Sequence, residues 1–213
     1  MNIEQRSKEI IDFYNRKTKS IWQEKRGGPL RSFAGSFVET LCEKVVKHAW
    51  AELGAKPSRI KFDKRKYEIQ DDKGNSYGLS QDKQVYIDDK FVLSIECKAY
   101  CEVAMYKRIM VDAFLLQTRF KDLQFCLFQR ESMLGGDFSE SIYPKGSPSV
   151  NVINFYFPSV KMGIVTLLEG ERDIDQPLHK KEFFKPLKQE RVMHAIKYFT
   201  GILRPFLEKK ASR

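Results

Sequence analysis

The sequence predicts an α/β fold, a mixed central sheet flanked by helices, with extra helices at both termini. Three observations carry that prediction. Long segments whose apolar residues recur near a 3.6 period alternate with short apolar runs of strand length. Two of those runs, residues 77–87 and 91–98, stand close enough in the chain to form a hairpin. The chain has 213 residues, 42% hydrophobic and 13% aromatic, which supports a substantial core and argues against general disorder.

Residues 3–24 read as an amphipathic helix through Ile3, Ile10, Ile11, Phe13, Tyr14, Ile21 and Trp22, broken by Gly27-Gly28-Pro29. A second helix is expected over residues 32–53, carrying Phe33, Phe37, Leu41, Val45, Val46 and Trp50 and stopped by Gly54, with Pro57 beyond. Residues 59–70 alternate as a strand, and 71–75 have the composition of a turn. The hairpin strands 77–87 and 91–98 follow, joined by Asp88-Asp89-Lys90. Pairing Ile87 with Phe91 sets Val85 against Leu93 and Asp82 against Glu96. A slip of one residue puts Gln81 opposite Glu96 instead.

Beyond the hairpin, residues 99–118 predict a helix with Val103, Met110, Ala113, Phe114 and Gln117 along one side. Residues 124–128 predict a short strand, and 133–150, rich in Gly, Ser and Pro, a long loop. Residues 162–168 read as a strand and 189–209 as a closing helix whose end Pro205 kinks. No internal repeat or domain boundary stands out. A single domain over 1–213 is expected: a core over 31–132, an N-terminal helix within 1–26, and a C-terminal strand, loop and helix within 133–213.

A formal net charge of +10 and a pI near 9.3 point to a polyanionic partner, most simply nucleic acid, although a generic basic protein carries the same charge. Four cysteines, 42, 97, 101 and 126, form no C-x-x-C pair, so buried free thiols are expected rather than zinc or a disulfide framework. The N-terminus is polar, and no apolar run approaches the roughly 20 residues of a membrane span. The expectation is a soluble, cytoplasmic protein with no membrane partner.

The chemistry concentrates at Glu96-Cys97-Lys98, which closes the apolar run Phe91-Val92-Leu93-Ser94-Ile95. Strand side chains alternate, so the acid and the amine share a face. That face offers a carboxylate suited to a hard divalent cation and a cation suited to a water or phosphate. Similar triplets at Asp71-Asp72-Lys73, Asp88-Asp89-Lys90 and Glu208-Lys209-Lys210 sit in turns or a charged tail, where solvated charge explains them. A structural ion pair remains the alternative at 96–98.

The order helix, strand, hairpin with an aspartate and then Glu-x-Lys, helix, strand resembles the PD-(D/E)XK nuclease superfamily, and within it a type II restriction endonuclease. The carrying residues are Leu79-Ser80-Gln81-Asp82-Lys83-Gln84-Val85-Tyr86-Ile87 and Phe91-Val92-Leu93-Ser94-Ile95-Glu96-Cys97-Lys98-Ala99-Tyr100, within a likeness over roughly residues 31–132. Gln81 stands where the superfamily places its proline. The resemblance implies a restriction-endonuclease-like fold and Mg²⁺-dependent, sequence-specific hydrolysis of double-stranded DNA leaving 5′-phosphates, with Mn²⁺ able to substitute. Asp82 and Glu96 would bind the metal together with the Cys97 backbone carbonyl, and Lys98 would orient or deprotonate the attacking water. Glu39, on the helix before the sheet, would touch metal-bound water, or would be a solvated helix-face acid. The implied partners are DNA, a second copy of the chain, and a cognate DNA methyltransferase.

Arg31 and Ser32 near a helix start would suit a phosphate. Lys107 and Arg108 on the helix after the site would border DNA, with Lys121, Arg130 and the 133–150 loop as similar prospects. His48, His179 and His194 have no ligand spacing, and Glu169-Gly170-Glu171-Arg172-Asp173 reads as a solvated turn. Two alternatives stay open. One is another nuclease of the superfamily, a repair or junction enzyme or one subunit of a heterodimeric cutter; the other is a non-catalytic basic DNA-binding protein.

Overall fold

The structure is a computed structural model that describes residues 1–23, 28–139, 147–175 and 181–207, with side chains 21–34 outside the description. The first helix, α1, spans Ile3–Gln23 and the second, α2, Gly28–Glu52. α2 already begins at Gly28, inside the break predicted at 27–29. Pro29 falls in its first turn, where the missing N–H would have had no partner and the fixed φ suits a helix.

The expected strand over 59–70 is two strands, β1 (Ile60–Asp63) and β2 (Tyr67–Gln70). The chain leaves the main sheet at Lys64-Arg65-Lys66. There the Gln84 side chain takes over the backbone bonds: Arg65 N–H donates to its Oε1 at 2.9 Å, and its Nε2 donates to the Arg65 carbonyl at 2.6 Å. The run 77–87 divides as well. Ser76–Leu79 (β3) pairs with β2 in a separate two-stranded ribbon, and Lys83–Ile87 (β4) joins the main sheet.

The remaining elements are β5 (Lys90–Glu102), α3 (Val103–Arg119), β6 (Gln124–Met133), α4 (Pro148–Tyr156), β7 (Met162–Thr166) and α5 (Gln189–Leu203). A 3₁₀ turn over Arg204–Phe206 contains Pro205 and ends the closing helix, where the sequence expected it to run on to residue 209. The sheet order is β1-β4-β5-β6-β7, antiparallel across β1, β4 and β5 and parallel across β5, β6 and β7. The architecture is thus α/β with a mixed sheet between helices, as predicted. One face packs on α1, α2 and α5 through Tyr14, Leu41, Val45, Trp50, Phe128 and Phe199, all buried. The other packs on α3 and α4 through Tyr106, Met110, Leu116, Phe125 and Leu127. Among the described residues no helix is long and apolar enough to cross a membrane, and all four cysteines are buried and unbridged.

Three local expectations are corrected. Ile87 pairs with Lys90, not Phe91, because Asp88 and Asp89 alone make the turn, both at positive φ (48° and 64°), as a two-residue hairpin requires. A bulge then absorbs Val92, so Tyr86 faces Phe91 while Val85 still faces Leu93 as the sequence implied. Residues 99–102 are strand rather than helix, because the parallel ladder with β6 continues through Tyr100–Glu131 to Glu102–Met133. The expected loop 133–150 gives way at Pro148 to α4; its residues 140–146 lie outside the description. The Ser147 hydroxyl accepts from Val150 N–H at 3.3 Å and Pro148 opens the first turn, a start signal that the composition of the stretch obscured.

Gly163 on β7 packs beneath Tyr198 of α5 so closely that a Cβ there would collide with the phenol oxygen. Gly163→Ala should lower stability by about 1–3 kcal/mol, the usual cost of overpacking. Urea unfolding checks this, and an unchanged midpoint contradicts the packing.

Candidate active site

The hairpin's strands are unequal in length, and the site is built on that inequality. β4 begins at Lys83, paired with Ile95, so no strand residue stands opposite Cys97 on that edge. Asp82, just before β4, fills the gap: its Oδ2 accepts the Cys97 N–H at 2.9 Å. The N–H and C=O of one strand residue point to the same edge. The Cys97 carbonyl therefore also faces the Asp82 side, beyond the last paired residue of β4.

Lys98 completes the cluster. Its Nζ lies 2.7 Å from Asp82 Oδ2 and 2.8 Å from Glu96 Oε2. Asp82 stands one residue beyond the ladder pair Lys83–Ile95, in the register that sets it toward Glu96 as the sequence expected, and both carboxylates meet on the ammonium. The three side chains are 16–22% exposed, shielded enough to interact strongly yet reachable from solvent. Burial raises the Asp82 carboxyl, but the Lys98 charge and the bonds from Lys98 and Cys97 outweigh it, and the net shift is downward. Glu96 goes the other way, to about 7, driven by burial and then by the Asp82 charge against the opposing pull of Lys98. Burial alone would lower Lys98; Glu96 and Asp82 reverse this and hold its proton more tightly than usual.

Behind Glu96, a cavity of about 10 Å³ is lined by Gln81 and Ser94 and by Asp112 of α3 among others, room for about one water. Sequence reasoning missed Asp112. Its half-buried carboxyl is raised by burial, partly offset by Arg108, and the only signal for it was an acid on the α3 face that also carries Ile109 and Ala113.

Glu39 does not meet the trio. Its carboxylate lies 3.9 Å from Lys64 and 4.0 Å from Lys83, while Glu43 binds Lys83 more closely, at 3.0 Å. Glu43 therefore holds the residue next to Asp82, with Glu39 near by. Arg31 and Ser32 lie in the first turns of α2, with side chains outside the description. Lys107 and Arg108 are exposed on α3 and line an open groove of about 420 Å³ with Tyr77 and Val111. Lys121 is exposed in the turn after α3, whereas Arg130 is buried. His48 pairs with Glu9 at 3.2 Å, His194 lines a small cavity together with Thr166 and Arg191, and His179 is outside the described residues.

Among the described residues no three His, Cys, Asp or Glu side chains converge as a full metal cage. What converges is two carboxylates on one cationic point, with a backbone carbonyl on the same edge. Such a donor set fits a hard cation that keeps several waters, as Mg²⁺ does, and not zinc. A proton and a cation would then compete at Glu96. Were a divalent cation to take Glu96 as a ligand, its affinity should be level above about pH 7 and fall about tenfold per unit below it, because the carboxyl would have to lose its proton first. Calorimetric Mg²⁺ titrations across that range check this, and a flat profile from pH 8 to 5 contradicts it.

No family model matches the chain. It is 45% identical over 204 residues to a protein named "Type II restriction enzyme DdeI" from Desulfomicrobium norvegicum. The match covers 84% of this chain and 85% of the relative.

Proposed function

The chain belongs to the type II restriction endonucleases, and we propose that it cuts double-stranded DNA at a specific sequence with Asp82, Glu96 and Lys98 around one Mg²⁺ ion. It is an endodeoxyribonuclease that works with a divalent metal. The observation that carries the site is the meeting of both carboxylates on Lys98 Nζ at 2.7 and 2.8 Å, at the open end of a hairpin.

Asp82, Glu96 and the Cys97 carbonyl would hold the ion, which when bound neutralises phosphate charge and lowers the pKa of water. Lys98 is an ammonium here, since both acids strengthen its hold on its proton. It would orient or deprotonate the attacking water and offset the charge that gathers on the phosphate oxygens. Water attacks phosphorus as the bond to the 3′ oxygen breaks, which leaves a 5′-phosphate and a 3′-hydroxyl. Glu43 fixes Lys83 and through it the start of β4, and Glu39 on the same helix would contact water on the metal.

A symmetric duplex target calls for two copies of the chain, one site per strand. Lys107 and Arg108, exposed beside the site, would meet the duplex, as would Arg31 and Ser32 at the start of α2. Mn²⁺ should substitute for Mg²⁺. An enzyme of this kind works in the cytoplasm beside a DNA methyltransferase of the same specificity. Purified protein incubated with plasmid and Mg²⁺ should yield discrete fragments, and EDTA should abolish them. Smearing to random lengths would favour a repair-type nuclease, and intact plasmid at high protein a non-catalytic binder.

A further inference from the structure

Arg130 on β6 carries a guanidinium that makes no hydrogen bond among the described residues; the residue is 9% exposed and its Nε is buried without a partner. A buried cation so placed is costly, and an orphan of this kind requires an ion or water to account for it. Its surroundings deepen the imbalance. Glu131, 2% exposed, has Oε1 3.5 Å from Lys185 Nζ and Oε2 4.0 Å from Arg172 Nε, separations too long for strong charged hydrogen bonds. Burial first, and then the Arg172 charge, lower the pKa of Arg130 against the influence of Tyr14 and Glu131. Arg172 and Lys185 flank one carboxylate at long range, and Arg130, its neighbour on β6, adds a third positive charge nearby.

The cluster lies beside the catalytic strand. The Arg172 guanidinium rests 3.8 Å from the centre of the Tyr100 ring, and its Nη1 donates to Met133 Sδ, a weak acceptor, at 3.3 Å. Tyr100 is two residues past Lys98 on β5, about 7 Å along the strand. Exposure rises from Arg130 through Arg172 (18% for its side chain) to Lys185 (32%), so the cluster opens to solvent at one end.

We propose that Arg172 and Lys185, backed by Arg130, seat a DNA backbone phosphate neighbouring the one that is cleaved. The proposal rests on the nuclease reading and adds a binding site to it. Among the described residues, Lys185 Nζ otherwise reaches only the Glu169 and Glu171 carbonyls, at 3.4 and 3.5 Å, and the distant Glu131 carboxylate; a phosphate brings closer, charged acceptors, and the Tyr100 ring holds the Arg172 fork flat and pre-oriented for two of them. Without DNA, Glu131 keeps the cations from dispersing.

The test uses the full chain. Wild-type cleavage with Mg²⁺ and with EDTA is scored first and judges the nuclease reading alone. DNA affinity is then measured by fluorescence anisotropy in EDTA over a salt series, on a short duplex spanning a mapped cut site, or on any duplex if no plasmid is cut. Arg172→Met combined with Lys185→Met should weaken binding about tenfold or more and make the log–log salt slope shallower by about 0.9 for each phosphate left without its cation. Arg172→Lys should keep part of the affinity. A neutral methylphosphonate at a phosphate flanking the cut should weaken the wild type but not the double variant. Wild-type affinity and slope in the double variant, or equal methylphosphonate losses in both proteins, overturn the seat.

Discussion

Glu96→Ala should reduce DNA hydrolysis by at least about a thousandfold while DNA binding stays intact or tightens. The reasoning is electrostatic. Glu96 is one of two side-chain carboxylates in the cluster, and an ion held by Asp82 alone stabilises several kcal/mol less of the charge that builds on phosphate. The variant should still fold, because the Asp82–Lys98 pair that it leaves is neutral and both members keep a partner. Binding should strengthen because a negative group facing phosphate has gone. Glu96→Gln keeps the shape, and an oxygen to accept from Lys98, without the charge, so it should be nearly as inactive. Lys98→Ala is a different experiment. It strands two carboxylates side by side in a shielded site, drives Glu96 above its already raised value of about 7, and should cost about 10²–10³ in rate. Cleavage at wild-type rate by Glu96→Ala would remove the site from consideration.

Trp50→Ala should cost about 3–5 kcal/mol, a large part of the roughly 5–15 kcal/mol that holds a typical domain together. Trp50 is among the largest fully buried side chains, and its indole N–H donates to the Lys56 carbonyl at 3.0 Å, tying the end of α2 to the turn that leads into β1. Truncation leaves a cavity against the sheet and a carbonyl without its donor. Urea unfolding followed by circular dichroism measures the loss, and a cost below about 1 kcal/mol would contradict the packing.

The trio was within reach of sequence reading because a strand's alternation is local. Glu96 and Lys98 share a face however the rest folds, and a hairpin brings Asp82 near them without long-range help. The pairing details were not within reach. Only the positive φ at both Asp88 and Asp89 and the bulge at Val92 decide the register near the turn, and the two nearly cancel. Residues 99–102 have side chains that a helix tolerates; their strand conformation is imposed by β6, some thirty residues later in the chain. Arg130 is the sharpest case. A cation in a basic chain reads as surface charge, and nothing near it in sequence announces that Tyr14 and Arg172 will be folded close to it.

The bond from Cys97 N–H to Asp82 gives one side chain two duties, carrying charge and finishing the backbone ladder where β4 stops short. Those duties separate under substitution. Alanine abandons both, whereas asparagine keeps an oxygen for the amide and forfeits only the charge. Asp82→Asn should therefore give an inert yet correctly assembled protein, the form best suited to trapping an uncut duplex for crystallography.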